Sequence, residues 1–163
     1  MTYAGLIAWA LLGVLGLVFQ TMVLFKDVLA AHQPDLRPAL AQLCLWADCK
    51  VGPLKQADAV VIDHAAIDQV SSSLDPLDTA ASLHWAFEVH LRNSAKVPVA
   101  TPWIELTLTD AQDQAVIRKV LDLSQWGAPP VMAAGDILPM SLQLGLANPE
   151  VNFVGYRLLT FYP

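Results

Sequence analysis

The sequence predicts a mainly β protein carried on one membrane helix: an antiparallel, immunoglobulin-like β-sandwich preceded by a transmembrane span and a short helix. Two observations carry this reading. Ala4 to Phe25, AGLIAWALLGVLGLVFQTMVLF, holds no charged residue, and at about 1.5 Å of rise per residue it covers the ~30 Å hydrocarbon core of a bilayer. From Ala59 onward the apolar residues alternate with polar ones instead, the pattern of strands with one dry and one wet face.

The span comes first and no second apolar run of its length follows, so everything after Lys26 belongs on one side of one membrane. The expected organisation is an anchor over residues 1–26, a short helix and cysteine turn over 27–58, and a β-sandwich over 59–163. Residues from Lys26 onward suffice for one soluble domain with its own core. The net charge of −6 is spread along the chain without a basic run, which argues against nucleic acid as a partner. A cleaved signal peptide is the alternative to an anchor, with its site near Ala30 and Ala31. The anchor is favoured because a signal core usually runs about 7–15 residues behind a basic flank, whereas this run is longer and follows Met1 to Tyr3 without a side-chain cation.

Orientation has signals of both signs. Lys26 and Arg37 follow the span and no cation precedes it, which by the positive-inside rule favours a cytoplasmic domain. Cys44 and Cys49 are the only two cysteines and lack the further ligands of a structural zinc site. A disulfide in an oxidising compartment is the economical reading, with two reduced thiols as the alternative.

Within the span, Trp9, Gly13, Gly16 and Gln20 lie on one helical stripe. Two glycines permit close backbone approach and a glutamine in lipid gains from a hydrogen-bonding partner, so Gly13, Gly16 and Gln20 are candidate contacts with another membrane helix. The alternative is a lipid-facing stripe with Gln20 among the headgroups. Leu36, Leu40, Leu43 and Ala47 recur at helical spacing behind Pro34 and Pro38, predicting a helix from about Pro34 to Ala47. It ends at the cysteine turn, with Gly52 and Pro53 beyond.

The predicted strands are Val60 to Val70, Ser82 to Arg92, Trp103 to Thr109, Ala115 to Leu123, Leu138 to Leu146 and Val154 to Tyr162. Asp110 to Gln114 separates two of them at hairpin distance. Gly127 to Gly135, GAPPVMAAG, is too rich in proline and small residues for a strand and reads as a loop. Six or seven strands with short connections and no helical pattern between them indicate the sandwich.

The residues also carry a family likeness. Gln20, Lys26-Asp27, Leu29-Ala30, Pro34, Arg37-Pro38 and Leu43-Cys44 with Cys49 form its first block. Leu91, Asn93, Ala95 and Pro98, then Pro102, Ile104, Leu106 and Leu108-Thr109-Asp110, and finally Gly155-Tyr156-Arg157 and Phe161-Tyr162-Pro163, continue it. Together they resemble a proteobacterial family of membrane-anchored proteins of unknown function, over nearly the whole chain. The resemblance implies a cytoplasmic zinc ribbon, one membrane helix and a periplasmic β-sandwich. It therefore implies an inner-membrane protein with its N-terminus in the cytoplasm and Lys26 to Pro163 in the periplasm. The C-x-x-C pairs of the ribbon are absent from this sequence, as a shortened member, a different start codon or a fragment would each explain. Asp48 stands before the second cysteine where the family favours glycine.

Candidate chemistry is sparse. His84, Glu88 and His90 share one face of a predicted strand, but a shared metal needs converging side chains and a ligand from elsewhere; a solvated polar face is the ordinary reading. Asp63, His64 and Asp68 stand near no identifiable nucleophile and base. Ser71 to Ser73, before Leu74 to Pro76, lacks a nucleophile-elbow pattern. Trp85 lies on an apolar stripe, where core packing is the default over a ligand platform. No catalytic residue, metal or cofactor is expected. The expected function is a noncatalytic, membrane-anchored interaction or assembly module of an inner-membrane complex, with a periplasmic enzyme or small-ligand binder as the alternative.

Overall fold

The computed structural model describes residues 3–70, 84–145 and 153–163, and the chain divides into two compact units, Met1–Leu54 and Lys55–Pro163. The serine run Ser71 to Ser73, Leu74 to Pro76, and the expected strand residues Ser82, Leu83 and Leu146 lie outside the described residues.

In the first unit, α1 (Tyr3–Leu24) is a 22-residue helix with no described residue buried. It is long and apolar enough to cross a membrane. A second helix, α2 (Lys26–His32), follows directly; the sequence reading has no helix there. Its Asp27 is a tie. One carboxylate oxygen accepts from the Gly52 amide at 2.8 Å, and the other from Lys26 Nζ at 3.0 Å. The helix expected from Pro34 is split: a 3-10 turn, Pro34–Leu36, leads into α3 (Arg37–Trp46). Pro38 is accommodated because the first turn of a helix has no use for its missing amide.

The end of α3 explains the cysteine spacing. The Cys49 amide returns to the Cys44 carbonyl at 2.9 Å while Asp48 takes a left-handed conformation, φ 49°, which is the closure that lets a helix stop. Such a closure usually carries an apolar contact between its two ends; here Cys44 and Cys49 are joined by a disulfide, with their Cα atoms 4.6 Å apart. Left-handed backbone costs an L-residue about 1–2 kcal/mol, less for Asp, and nothing for glycine. Asp48→Gly is therefore expected to stabilise the turn by about 0.5 kcal/mol, net of glycine's greater freedom when unfolded. Exchange of the Cys49 amide in the full chain in detergent should slow about twofold; faster exchange refutes this. Replacing Cys44 and Cys49 together with alanine should cost about 2 kcal/mol by the entropy of so short a loop. Faster amide exchange along α3 reads that loss, and a β unit that unfolds with it would show the turn to be integral to the whole fold.

The second unit is built of antiparallel β-sheets. Strands β1 (Val60–Val70), β2 (His84–Asn93), β3 (Val99–Ala100), β4 (Trp103–Thr109), β5 (Ala115–Leu121), β6 (Val131–Met132), β7 (Ile137–Gly145) and β8 (Gly155–Phe161) are described. They form sheets of order β1-β2-β7 and β5-β4-β8, and the ribbon β3-β6. The expected loop Gly127 to Gly135 is corrected in part. It contains β6, which pairs with β3 and buries Met132, and its ends are two left-handed glycines, Gly127 at φ 84° and Gly135 at φ 74°. The expected strand end at Leu123 is also shorter, because Leu123–Trp126 turns into a 3-10 helix capped by the Asp122 carboxylate.

Alternation places Phe87, Val89 and Leu91 of β2, Met140, Leu142 and Leu144 of β7, and Ile104, Leu106 and Leu108 of β4 in the core. In β1 the phase slips. Ile62 opposes Leu91 but His64 opposes His90, so Asp63 is the extra residue of a bulge and the inward positions change from Val60 and Ile62 to Ala65 and Ile67. The Tyr156 hydroxyl of β8 donates to the Ala65 carbonyl of β1 at 2.6 Å, linking one sheet to the other. Between β4 and β5, Asp113 is left-handed at φ 60°, and the Asp110 carboxylate accepts from the amides of Gln112 and Gln114. This is a three-residue hairpin loop of the expected position.

Candidate functional site

The stripe on α1 faces open space. A Cβ added at Gly13 or Gly16 meets nothing within 4 Å. Gln20 lines a shallow recess with Phe19, Val23, Leu24 and Ala47, so the structure brings Gln20 beside the disulfide turn and leaves the two glycines apart from it. In the same turn, Leu45 and Trp46 are 82% and 91% exposed. The sequence reading did not single them out, since both continue an apolar helical pattern.

The polar face of β1 and β2 is a set of pairs. His90 Nε2 lies 3.2 Å from a Glu88 oxygen, and the His90 ring is 5.4 Å from that of His64 across the strands. Asp63, aimed outward by the bulge, receives two hydrogen bonds from Arg92, Nε at 2.6 Å and Nη2 at 3.0 Å. Those bonds and the adjacent charge hold its carboxyl below the usual aspartate range. His84 opens β2. Among the described residues no group of three or more His, Cys, Asp or Glu is placed to hold a metal.

On the outer face of the other sheet, Thr107 of β4 stands between Arg118 of β5 and Arg157 of β8. Arg118 pairs with Glu105 at 3.3 Å and Arg157 with Asp113 at 3.1 Å. Inside, Trp85 packs on Phe153 at 4.6 Å between ring centres. The space they share with Ile67, Leu106, Leu108 and Leu144 amounts to about 10 Å³, room for about one water.

Asn93 is the polar group that sequence reasoning undervalued, naming it only as part of a motif. It is fully buried at the end of β2. Its side-chain amide donates to the carbonyls of Val97, Met132 and Ala133 at 2.9, 3.2 and 2.8 Å, while its Oδ1 accepts from the Ala95 amide at 2.9 Å. Its own backbone joins Asp136 and Gly135. One side chain thus fastens the loop before β3 to the loop after β6.

These features define a protein of mainly antiparallel β-sheet preceded by an apolar helix of membrane-spanning length. The chain belongs to the DUF3426 family, described as "Protein of unknown function", which it matches over residues 64–160, more than half of its length. No curated protein matches it. An X-ray structure of a Northeast Structural Genomics Consortium target is similar at 11% identity and a TM-score of 0.38, covering 57% of this chain and 67% of that one. Membership in a family of unknown function agrees with the resemblance drawn from the sequence.

Proposed function

We propose that this protein is a single-pass, membrane-anchored interaction or assembly module, a noncatalytic subunit or accessory factor of a bacterial inner-membrane complex. The observation that carries this reading is α1, a 22-residue apolar helix without one buried described residue. Such a surface is stable only when lipid or another helix covers it, and the open faces of Gly13 and Gly16 suit close approach by a second helix. We take the β unit to be an immunoglobulin-like sandwich, a reading supported by the Tyr156 to Ala65 bond and by the core shared between the sheets. The Cys44–Cys49 disulfide supports a periplasmic side for it, with the N-terminus in the cytoplasm.

The test is gentle detergent co-purification of the full chain beside the double variant Gly13→Leu, Gly16→Leu, with membrane insertion checked in parallel. The variant should insert as well as wild type, because leucine is more apolar, yet lose its membrane partners. A wild type that purifies alone counts against a complex. A variant that keeps every partner at wild-type yield removes the glycine stripe from the contact.

A further inference from the structure

The turn at the end of α3 presents two large apolar side chains with nothing from the first unit over them. Leu45 is 82% exposed and Trp46 is 91% exposed. They do not stand on a loose tail. The Cys49 amide bonds back to Cys44, and the Cys44–Cys49 disulfide closes the turn immediately behind them. A pair held this way loses little freedom when it enters another phase, which favours binding through it.

Their position says which phase. Ala47, the next residue, lines one recess with Phe19, Gln20, Val23 and Leu24, and Leu24 is the last residue of α1. From Gln20 to Leu24 a helix advances about 6 Å, so the recess lies along the final turn of a helix whose length, about 33 Å, slightly exceeds the hydrocarbon core. That level is the boundary between acyl chains and headgroups, where tryptophan is enriched because its ring is apolar and its N–H is not. Asp48 and Lys50, both exposed, follow the pair and suit the polar side of the same boundary.

We propose that Leu45 and Trp46 form a second membrane contact: they insert into the headgroup boundary of the bilayer that α1 crosses, on the side of the β unit. The occupant is lipid. Ala47, the next residue in the chain, shares its recess with the last turn of α1, and that continuity with the anchor favours lipid over a protein partner. The inference rests on reading α1 as a membrane anchor, and it gives the disulfide turn a role as the rigid mount of that contact.

The test uses the full chain carrying fluorotryptophan in phospholipid bilayer discs, read by fluorine NMR. The Trp46 and Trp9 resonances are those lost in Trp46→Phe and Trp9→Phe. Trp46 should be broadened by a lipid bearing a nitroxide near the carbonyl end of its acyl chain and spared by a water-soluble gadolinium chelate. Leu45→Asp should weaken the lipid effect on Trp46. If Trp9 is broadened by nitroxide lipid while Trp46 responds to the aqueous chelate, α1 spans the membrane and this proposal is overturned. If Trp46 responds to neither reagent, protein covers it and the proposal is overturned equally. If Trp9 itself responds to the aqueous chelate, the anchor reading fails first, and the second contact with it.

Discussion

Asn93→Ala should destabilise the β unit by about 3–5 kcal/mol, the largest effect expected of any polar substitution in the chain. Three carbonyls and one amide lose their partner at a fully buried position. Each buried group left unpaired costs about 1–3 kcal/mol, but the four do not add, because some of these loop groups can turn toward water. Denaturant unfolding of the full chain in detergent, followed by the near-ultraviolet signal of the tryptophans, measures the loss. Asn93→Leu separates hydrogen bonding from volume: it fills similar space without a donor and should be as costly as alanine. A leucine variant as stable as wild type would refute the hydrogen-bond account. Asn93→Asp adds a pH signature. Three facing carbonyls disfavour its charge, so its folded pKa should lie above the unfolded value of about 4. The sign follows: relative to wild type, the variant should be least impaired at acidic pH and lose stability as pH rises through the folded pKa.

Gly155→Val should cost upward of about 3 kcal/mol, and Gly155→Ala about 1–3 kcal/mol. A Cβ at Gly155 would stand 2.8 Å from Thr109 Oγ1. Thr109 is buried on the central strand of its sheet, and the neighbouring Val154 amide bonds the Thr109 carbonyl at 2.9 Å. Neither strand can therefore step aside cheaply. Thr109→Ala removes the obstructing hydroxyl, so the pair Gly155→Ala with Thr109→Ala should be clearly more stable than the sum of the single losses predicts. Simple additivity would show that glycine is needed there for its backbone and not for space.

Strands were legible where alternation was unbroken. Trp103 to Thr109 has its expected bounds, because the pleat is a local property written into every second residue; Val60 to Val70 has them too, although its alternation is broken at Asp63. The bulge inside β1 was hidden, since Ala65 and Ala66 read equally well on either face and only pairing with β2 selects one. Strand β6 was hidden by its prolines and small neighbours; it is a strand because Val99 and Ala100 lie alongside. Helix α2 was hidden because seven residues between two longer helices carry too little pattern to be read.

The sequence by itself determined the apolar helix, the change to alternating strands and two cysteines spaced closely enough to pair, and the family likeness marked Asp48 as the odd residue of their turn. Each is a matter of neighbours along the chain: length, period, spacing and the backbone preference of one residue. Only the tertiary structure decided that Asn93 binds two loops together, that Gly155 has no room for a methyl group, and that Leu45 and Trp46 are left exposed next to Ala47, which lines a recess along the last turn of α1. Those three depend on which distant atoms arrive beside a residue, and a hydrogen bond, a clash or an uncovered side chain exists only once they have.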